Sequence, residues 1–516
     1  MNDPDGHTLK SATEKSLTRT RAQAGMDTPA VTVETHLPGG LPAFTLVGLP
    51  ETAVRESRDR VKSAIDNCGL SFPNGKVVVN LAPADLAKEG ARLDLAIAVS
   101  ILAATGQLPH RVLEGFEFLG ELGLSGELRP IRGCLCAALA SATEVHERRL
   151  VLPSANAGEL AMAPPGRVVP LAHLREVVRL LREPGYRPAA APSAKPAANA
   201  ERESRSLAEV IGQPGAKRAL AVAAAGGHHL LMTGPPGTGK TMLARRLAGL
   251  LPALTEAEAR EAALVYSAAG LPLEYPFVPP FRDPHHTASG PALVGGGGHP
   301  QPGEISLAHR GVLFLDELPL FKPSVLEVLR EPLETRSITI ARARYRARFP
   351  ASFQLVAAMN PCPAGRVCSE SACRCTPEQV RRYRARISGP LLDRIDLHVA
   401  VPPIPKALLL AGARDSSSGV DQTKAAIAGA RRVQLSRQGR LNVDLTGADA
   451  TRLTRLSTES RRLLANAVDR FQLSARGFHR VLKVARTVAD IEGHVDVGPP
   501  HVAEALSYRS VTWEGE

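Results

Sequence analysis

Residues 234–241 read Gly-Pro-Pro-Gly-Thr-Gly-Lys-Thr and follow the apolar run His229-Leu230-Leu231-Met232. A buried strand, a glycine-rich turn and a helix start in that order suit chemistry on phosphate. Gly234, Gly237 and Gly239 let the backbone turn tightly, so that N–H groups around Pro235, Pro236 and Thr238 converge on one anion. The helix opening at Lys240 adds the positive end of its dipole. Lys240 is then placed to reach the β- and γ-phosphates of ATP and the Thr241 hydroxyl to ligate Mg²⁺, with Met242 completing the nucleotide-binding set. A Gly/Pro-rich turn that matches by chance is the alternative, and the remaining parts of an ATPase, which follow in order, argue against it.

Val312-Leu313-Phe314-Leu315 is an apolar run that ends in Asp316-Glu317. Open α/β sheets place ligands at the carboxyl ends of their strands. Asp316 is expected to hold Mg²⁺ through water, and Glu317 to orient and deprotonate the attacking water; a solvated acidic turn is the bland alternative. A further strand, Phe353 to Met359, ends in Asn360, whose amide beside the γ-phosphate would position water or sense phosphate loss. Arg394, in Leu-Leu-Asp-Arg-Ile-Asp, sits in an apolar setting, where a guanidinium must find an anion or destabilise the fold. Pairing with Asp393 or Asp396 competes with a role on phosphate.

The elements that must position these groups divide the 516 residues into several units. Residues 1–20 are polar and expected to be disordered. Residues 21–183 alternate strand-like and helical runs, among them the strand starting at Lys76 and the helical spacing of Val54, Val61, Ala64, Ile65 and Cys68. Residues 184–205, rich in Pro, Ala and charge without periodicity, read as a linker. The phosphate-loop unit spans 206–403, and 404–516 lacks strand signals and is helical in spacing. The net charge of +12 points to a polyanionic partner, while an aromatic content of 4 % argues against a protein that grips bases by stacking. No run approaches the roughly 20 apolar residues of a membrane span, and no leader-type segment is evident. The chain is therefore expected to be cytoplasmic, with seven cysteines kept as thiols.

The order of these parts resembles an AAA+ ATPase. The runs FRDPHHTASGPALVGGGGHPQPGEISLAHRGVLFLDEL (281–318), NPC (360–362) and RYRARISGPLLDRIDLHV (382–399) resemble the magnesium-chelatase-like AAA+ proteins of the ComM/YifB family. The resemblance implies an α/β fold: an AAA+ P-loop ATPase core with a C-terminal helical lid, preceded by a Lon-protease-like α+β domain. It further implies a ring, expected to be a homohexamer, with Arg394 as an arginine finger on the neighbour's γ-phosphate. Such fingers contribute about 10³–10⁵ in rate. Ser474-Ala475-Arg476 resembles the second sensor motif, making Arg476 a phosphate contact in cis, with Arg480 as its rival. Val210-Ile211-Gly212-Gln213 resembles the segment lining the adenine pocket, which assigns Ile211 and Gly212 to the nucleotide.

A Lon-type peptidase needs a Ser nucleophile and a Lys to accept its proton. The matching positions here carry Arg92 and Leu135. Neither can perform the chemistry, so the domain is read as structural or partner-docking.

Cys362, Cys368, Cys373 and Cys375 fall within fourteen residues. A Zn²⁺ site of four thiolates competes with plain thiols in a loop, since the spacing is not a common zinc pattern and Ala364 stands where the family pattern has another Cys. Residues 336–386 hold eleven Arg against Glu370 and Glu378. Arg342, Arg344, Arg346 and Arg348 would share one face of a strand. Phosphate contact independent of sequence competes with a solvated basic edge. The expected function is an ATP-driven DNA motor on single-stranded or branched DNA, of the branch-migration helicase type, in recombination and natural transformation. A chelatase motor for metal insertion into porphyrin is the alternative, and Arg92 and Leu135 disfavour an ATP-dependent protease.

Overall fold

The computed structural model describes residues 15–49, 54, 56–88, 90–144, 147–188, 207–298, 300–341, 346–365, 375–411, 417–471 and 473–509. Its centre is a five-stranded sheet in the order Phe281–Arg282, Val312–Leu315, Gln354–Met359, Leu230–Thr233, Leu397–Ala400. Every pairing in it is parallel. Val312–Leu315 and Gln354–Met359 are buried along their whole length, as a sheet covered on both faces requires. The parallel register gives the sheet a polarity. Leu230 lies beside Val356 and Leu397, and Thr233 beside Met359 and Ala400. The turns after the first four strands therefore share one edge, and the segments entering the strands share the other.

Two buried histidines pin the entering edge of the sheet. His229 Nδ1 accepts the Leu355 N–H at 3.0 Å, and His309 Nδ1 accepts the Ser352 N–H at 3.0 Å. Both must be neutral to accept. Burial lowers His229 to about 3 and His309 to about 4; it also lowers His398, in the last strand, to about 4.

The helices Ser417–Gln438, Gly447–Thr454, Thr458–Phe471, Ala475–Ile491 and Pro499–Ser507 form a unit on one flank of the core. Asp490 organises it, accepting from Arg437 at 2.7 Å, Asn442 at 2.9 Å and Arg486 at 3.1 Å. His228 Nε2 and Thr487 Oγ1, 2.7 Å apart, tie this unit to the sheet. None of the described helices is long and apolar enough to cross a membrane.

The N-terminal part holds a four-stranded sheet, Lys15–Arg21, Ala30–His36, Lys76–Ala82 and Ala43–Val47 in spatial order, around the wholly buried helix Asp94–Ala104. Its first strand begins at Lys15, inside the stretch expected to be disordered. Alternation explains the difference: Ser16, Thr18 and Thr20 face inward and are small enough to pack on the buried helix, where Thr18 Oγ1 donates to the Ala96 carbonyl at 3.1 Å. A polar composition concealed a period of two.

This part is seated directly on the core. Gly133 N–H donates to the Ser267 carbonyl at 2.8 Å, and Leu135 N–H to Ser267 Oγ at 3.1 Å. The Leu135 side chain packs with Met162, Ala259 and Ala263, two of which belong to the helix Glu256–Ala269 of the core. Arg92 is buried and donates to Gln23 Oε1 at 2.6 Å. The positions matched to a peptidase base and nucleophile are thus an apolar seam and a buried ion. Leu135→Lys would bury a charge against Ala259 and Ala263 and should destabilise the chain by about 3 kcal/mol or more, read by urea unfolding, without creating peptidase activity.

The histidines also set a pH dependence. A histidine lowered by folding takes its proton in the unfolded chain first, so its contribution is present above pH 6.5 and lost as pH falls towards 4. Asp94 acts oppositely, because burial raises it to about 6 against the pull of Arg60 and the folded chain takes up that proton. Burial also raises Glu159 and Asp283, which act with Asp94, but the three histidines carry the larger shifts and outweigh them. Unfolding free energy should fall by on the order of 3–4 kcal/mol between pH 7 and pH 5; equal stability at the two pH values would contradict the assignment.

Candidate functional site

The phosphate loop needs its glycines for two different reasons. A Cβ on Gly234 would lie 2.2 Å from the Val401 carbonyl oxygen, so the loop leaves the sheet only through glycine. Gly237 and Gly239 adopt φ of +77° and +88°, and a Cβ built there meets nothing within 4 Å. That open cradle at the start of the helix Lys240–Leu250 fits a polyphosphate. Thr238 is buried, its hydroxyl donating to the Pro235 carbonyl at 3.0 Å, whereas Pro236 and Met242 are exposed.

Lys240 Nζ donates to the Gly234 carbonyl at 2.7 Å, the Pro235 carbonyl at 2.9 Å and Asn360 Oδ1 at 3.1 Å. Burial lowers its pKa, with Asp316 and Glu317 opposing. Asn360, at the end of the neighbouring strand, therefore shares the site with the loop. Thr241 Oγ1 donates to Asp316 Oδ2 at 2.6 Å. A hydroxyl and a carboxylate held together beside the phosphate cradle suit Mg²⁺, which takes few protein ligands and keeps water. Asp316 Oδ1 in turn accepts the Glu317 N–H at 2.9 Å. Glu317 sits at φ +53°, a left-handed conformation uncommon for a residue with a side chain, and its carboxylate lies 3.4 Å from His286 Nδ1. Ile211 and Gly212 are half-buried, and a Cβ on Gly212 would be 3.6 Å from Leu408 and 3.9 Å from Ile404.

Arg394 and Arg476 are elsewhere. Asp396 N–H donates to the His229 carbonyl at 3.1 Å, which fixes this segment at the entering edge of the sheet, opposite the phosphate loop. The four-residue strand Leu230–Thr233 separates the two edges by about 13 Å. Arg394 pairs with neither Asp393 nor Asp396. Its Nη2 donates to Glu334 Oε1 at 2.6 Å and its Nη1 to the Pro390 carbonyl at 2.6 Å. Arg476 Nη2 reaches the same Glu334 oxygen at 3.2 Å. The expectation that Arg476 meets phosphate in cis is therefore corrected: it stands with the finger candidate, on the edge away from its own loop. Sequence spacing could not reveal this, because the motif fixes the helix and not the side of the sheet on which the helix docks.

Around the two arginines lies a cavity of about 540 Å³ whose lining includes Arg336, Arg394, Arg476, Arg480 and Lys483. Against these cations stand Glu334, Asp396 and Asp444. Asp396 is spent on Arg480, 3.2 Å away. Burial alone would raise its carboxyl, but Arg480 and His228 hold it well below the usual carboxylate range. Arg480 is thus a structural cation, and the cavity keeps a surplus of positive charge for an anion.

The basic stretch forms a hairpin, Ser337–Ala341 paired with Arg346–Pro350. Of the four arginines expected to share one face of a strand, Arg346 and Arg348 do share an exposed face, alternating with buried Ala347 and Phe349; Arg342 and Arg344 lie outside the described residues. Gly25, at φ +68°, brings an N-terminal turn against the buried face of the hairpin, where an added Cβ would be 2.7 Å from Ala347 Cβ. The zinc expectation gains no support. Cys368 and Cys373 lie outside the described residues, and Cys362 and Cys375 join no metal-ligating group among the described ones.

Comparison with known proteins accords with this geometry. Residues 206–409 match the family described as magnesium chelatase, subunit ChlI; residues 33–156 match subunit ChlI of Mg-chelatase, and residues 417–509 its C-terminal region. Competence protein ComM of Haemophilus influenzae is 46 % identical over 496 residues, covering 95 % of this chain and 96 % of that protein. YifB of Salmonella typhimurium, an uncharacterized protein, is 46 % identical over 502 residues, covering 96 % and 97 %. Lon protease 2 of Bacillus subtilis is 28 % identical over 152 residues, 27 % of each chain. The family implies the use of ATP and Mg²⁺. With matches that run through nearly its whole length, the chain belongs to the ComM/YifB family of magnesium-chelatase-like proteins.

Proposed function

We propose that this chain is the ATP-hydrolysing subunit of a ring-shaped DNA motor, of the branch-migration helicase type, acting in recombination during natural transformation. One observation carries the reading. The groups that suit the nucleotide's phosphates and Mg²⁺ (Lys240, Thr241, Asp316, Glu317, Asn360) gather on one edge of the sheet, and Arg394 with Arg476 on the other. In a closed ring the arginine edge of one subunit faces the phosphate edge of the next, so each site is completed at a seam. Within it, Asp316 and Thr241 hold Mg²⁺, Lys240 turns from the loop carbonyls to the phosphates, and Glu317 takes the proton of the attacking water.

The DNA arm of the proposal rests on the hairpin. Arg346 and Arg348 project from a short edge tied to the core, and contacts from guanidinium to phosphate do not depend on sequence. The competence protein among the relatives supports a setting in DNA uptake and recombination. The domain order proposed is a Lon-like docking unit at 21–183, a linker, the AAA+ core at 206–403 and the helical lid from 404. The family description favours a second reading, a chelatase motor. The two differ in one response: a chelatase motor has no reason to be stimulated by DNA.

ATP turnover should rise with single-stranded or branched DNA, and DNA affinity should drop about tenfold or more between 50 and 200 mM salt. Turnover indifferent to every DNA would contradict the motor and favour the chelatase reading. Glu317→Gln should bind nucleotide yet hydrolyse it about 10²-fold or more slowly; branch migration that survives this loss would contradict the role of hydrolysis.

A further inference from the structure

Glu334 belongs to neither the phosphate loop nor the hairpin, yet it touches both arginines of the opposite edge and lies just ahead of the hairpin in sequence. It lies on the short helix Arg330–Thr335, and its Oε1 alone accepts from Arg394 of the core and Arg476 of the helical unit. The Arg394 side chain is 8 % exposed and its Nε is buried with no acceptor among the described residues, so Glu334 and the Pro390 carbonyl do not saturate the guanidinium. Glu334 itself is 49 % exposed. Three residues later, at Ser337, the basic hairpin begins.

The corner between them has little slack. Thr335 Oγ1 donates to the Ser337 carbonyl at 2.9 Å, and Ala351 N–H to the Arg336 carbonyl at 2.8 Å. Arg336, left-handed at φ +56°, donates to Asp444 at 2.5 Å and to the Phe353 carbonyl at 3.3 Å. A shift of the helix at Glu334 therefore has to be taken up by the strand Ser337–Ala341.

We propose that Glu334 is a positioning residue that couples the nucleotide of the neighbouring subunit to the basic hairpin; this rests on the motor reading above. In the lone subunit its carboxylate occupies donors of both arginines. A γ-phosphate, with more charge and more acceptor oxygens, takes those donors at the seam. Glu334 then loses both partners, and the end of the helix Arg330–Thr335 is released to shift, carrying the stiff corner and the hairpin strand with it. Linkage makes the effect reciprocal: whatever nucleotide does to the hairpin's hold on DNA, DNA does to the nucleotide contact.

The test uses the full chain and two ratios: ATP turnover with and without a single-stranded oligonucleotide, and DNA affinity with ATPγS against ADP. In the wild type each ratio should be about fivefold or more. In Glu334→Gln, which keeps shape and loses charge, both should collapse towards unity, and Glu334→Asp should recover part of them. Glu334→Gln with wild-type ratios overturns the coupling alone, whereas a wild type without any DNA response overturns the motor reading and this proposal together. Hydrogen exchange gives a check that needs no variant. Amides of Ser337–Ala341 should exchange faster when ATPγS is bound to the assembled wild type, and unchanged exchange contradicts the release.

Discussion

The structure depends on the polarity of one parallel sheet. A parallel sheet has two unlike edges, and loops leaving the strands can share a site only with other loops leaving strands. That rule brings Lys240, Asp316 and Asn360 together from three separate strands, and Thr241 Oγ1 within 2.6 Å of Asp316. The same rule keeps Arg394 away, because it precedes its strand. A side chain cannot cross about 13 Å of sheet to reach its own chain's nucleotide. Under the proposed function, assembly follows from this separation: a single chain holds the phosphates with Lys240 but keeps Arg394 and Arg476 out of their reach.

Charge is distributed in keeping with that division. At the arginine edge the surplus cations are held in check by Glu334 and Asp444, both about half exposed, while the deeper Asp396 neutralises Arg480 permanently. The exposed acids are those that could be exchanged for another anion; the buried one is not. The N-terminal unit contributes no chemistry of its own to this scheme. It presents Leu135 to the helix Glu256–Ala269 and Gly25 to the hairpin, and so braces two parts of the core.

Much of the core was legible in the sequence, because apolar runs ending in polar residues have a direct physical meaning. Leu230–Thr233, Val312–Leu315 and Gln354–Met359 each lie within or beside the run that announced them, and the groups at their ends meet. What stayed hidden has physical reasons. The strand Lys15–Arg21 is polar by composition and inward-facing through small hydroxyl residues. Arg476 was assigned to its own chain's phosphate, since a motif carries no information on which side a helix docks. Glu334 gave no signal at all: a lone acid in a short helix acquires meaning only from the guanidiniums brought to it.

The most direct measurement mixes two disabled chains. Lys240→Ala removes the loop's cation and Arg394→Ala removes the finger, and each alone should be nearly inactive. Shared sites predict that equal amounts, co-assembled, recover turnover, since about a quarter of the seams in a random ring pair an intact loop with an intact finger. Mixtures as inactive as either parent, with mixed assembly verified, would show that each chain completes its own site and would contradict the account.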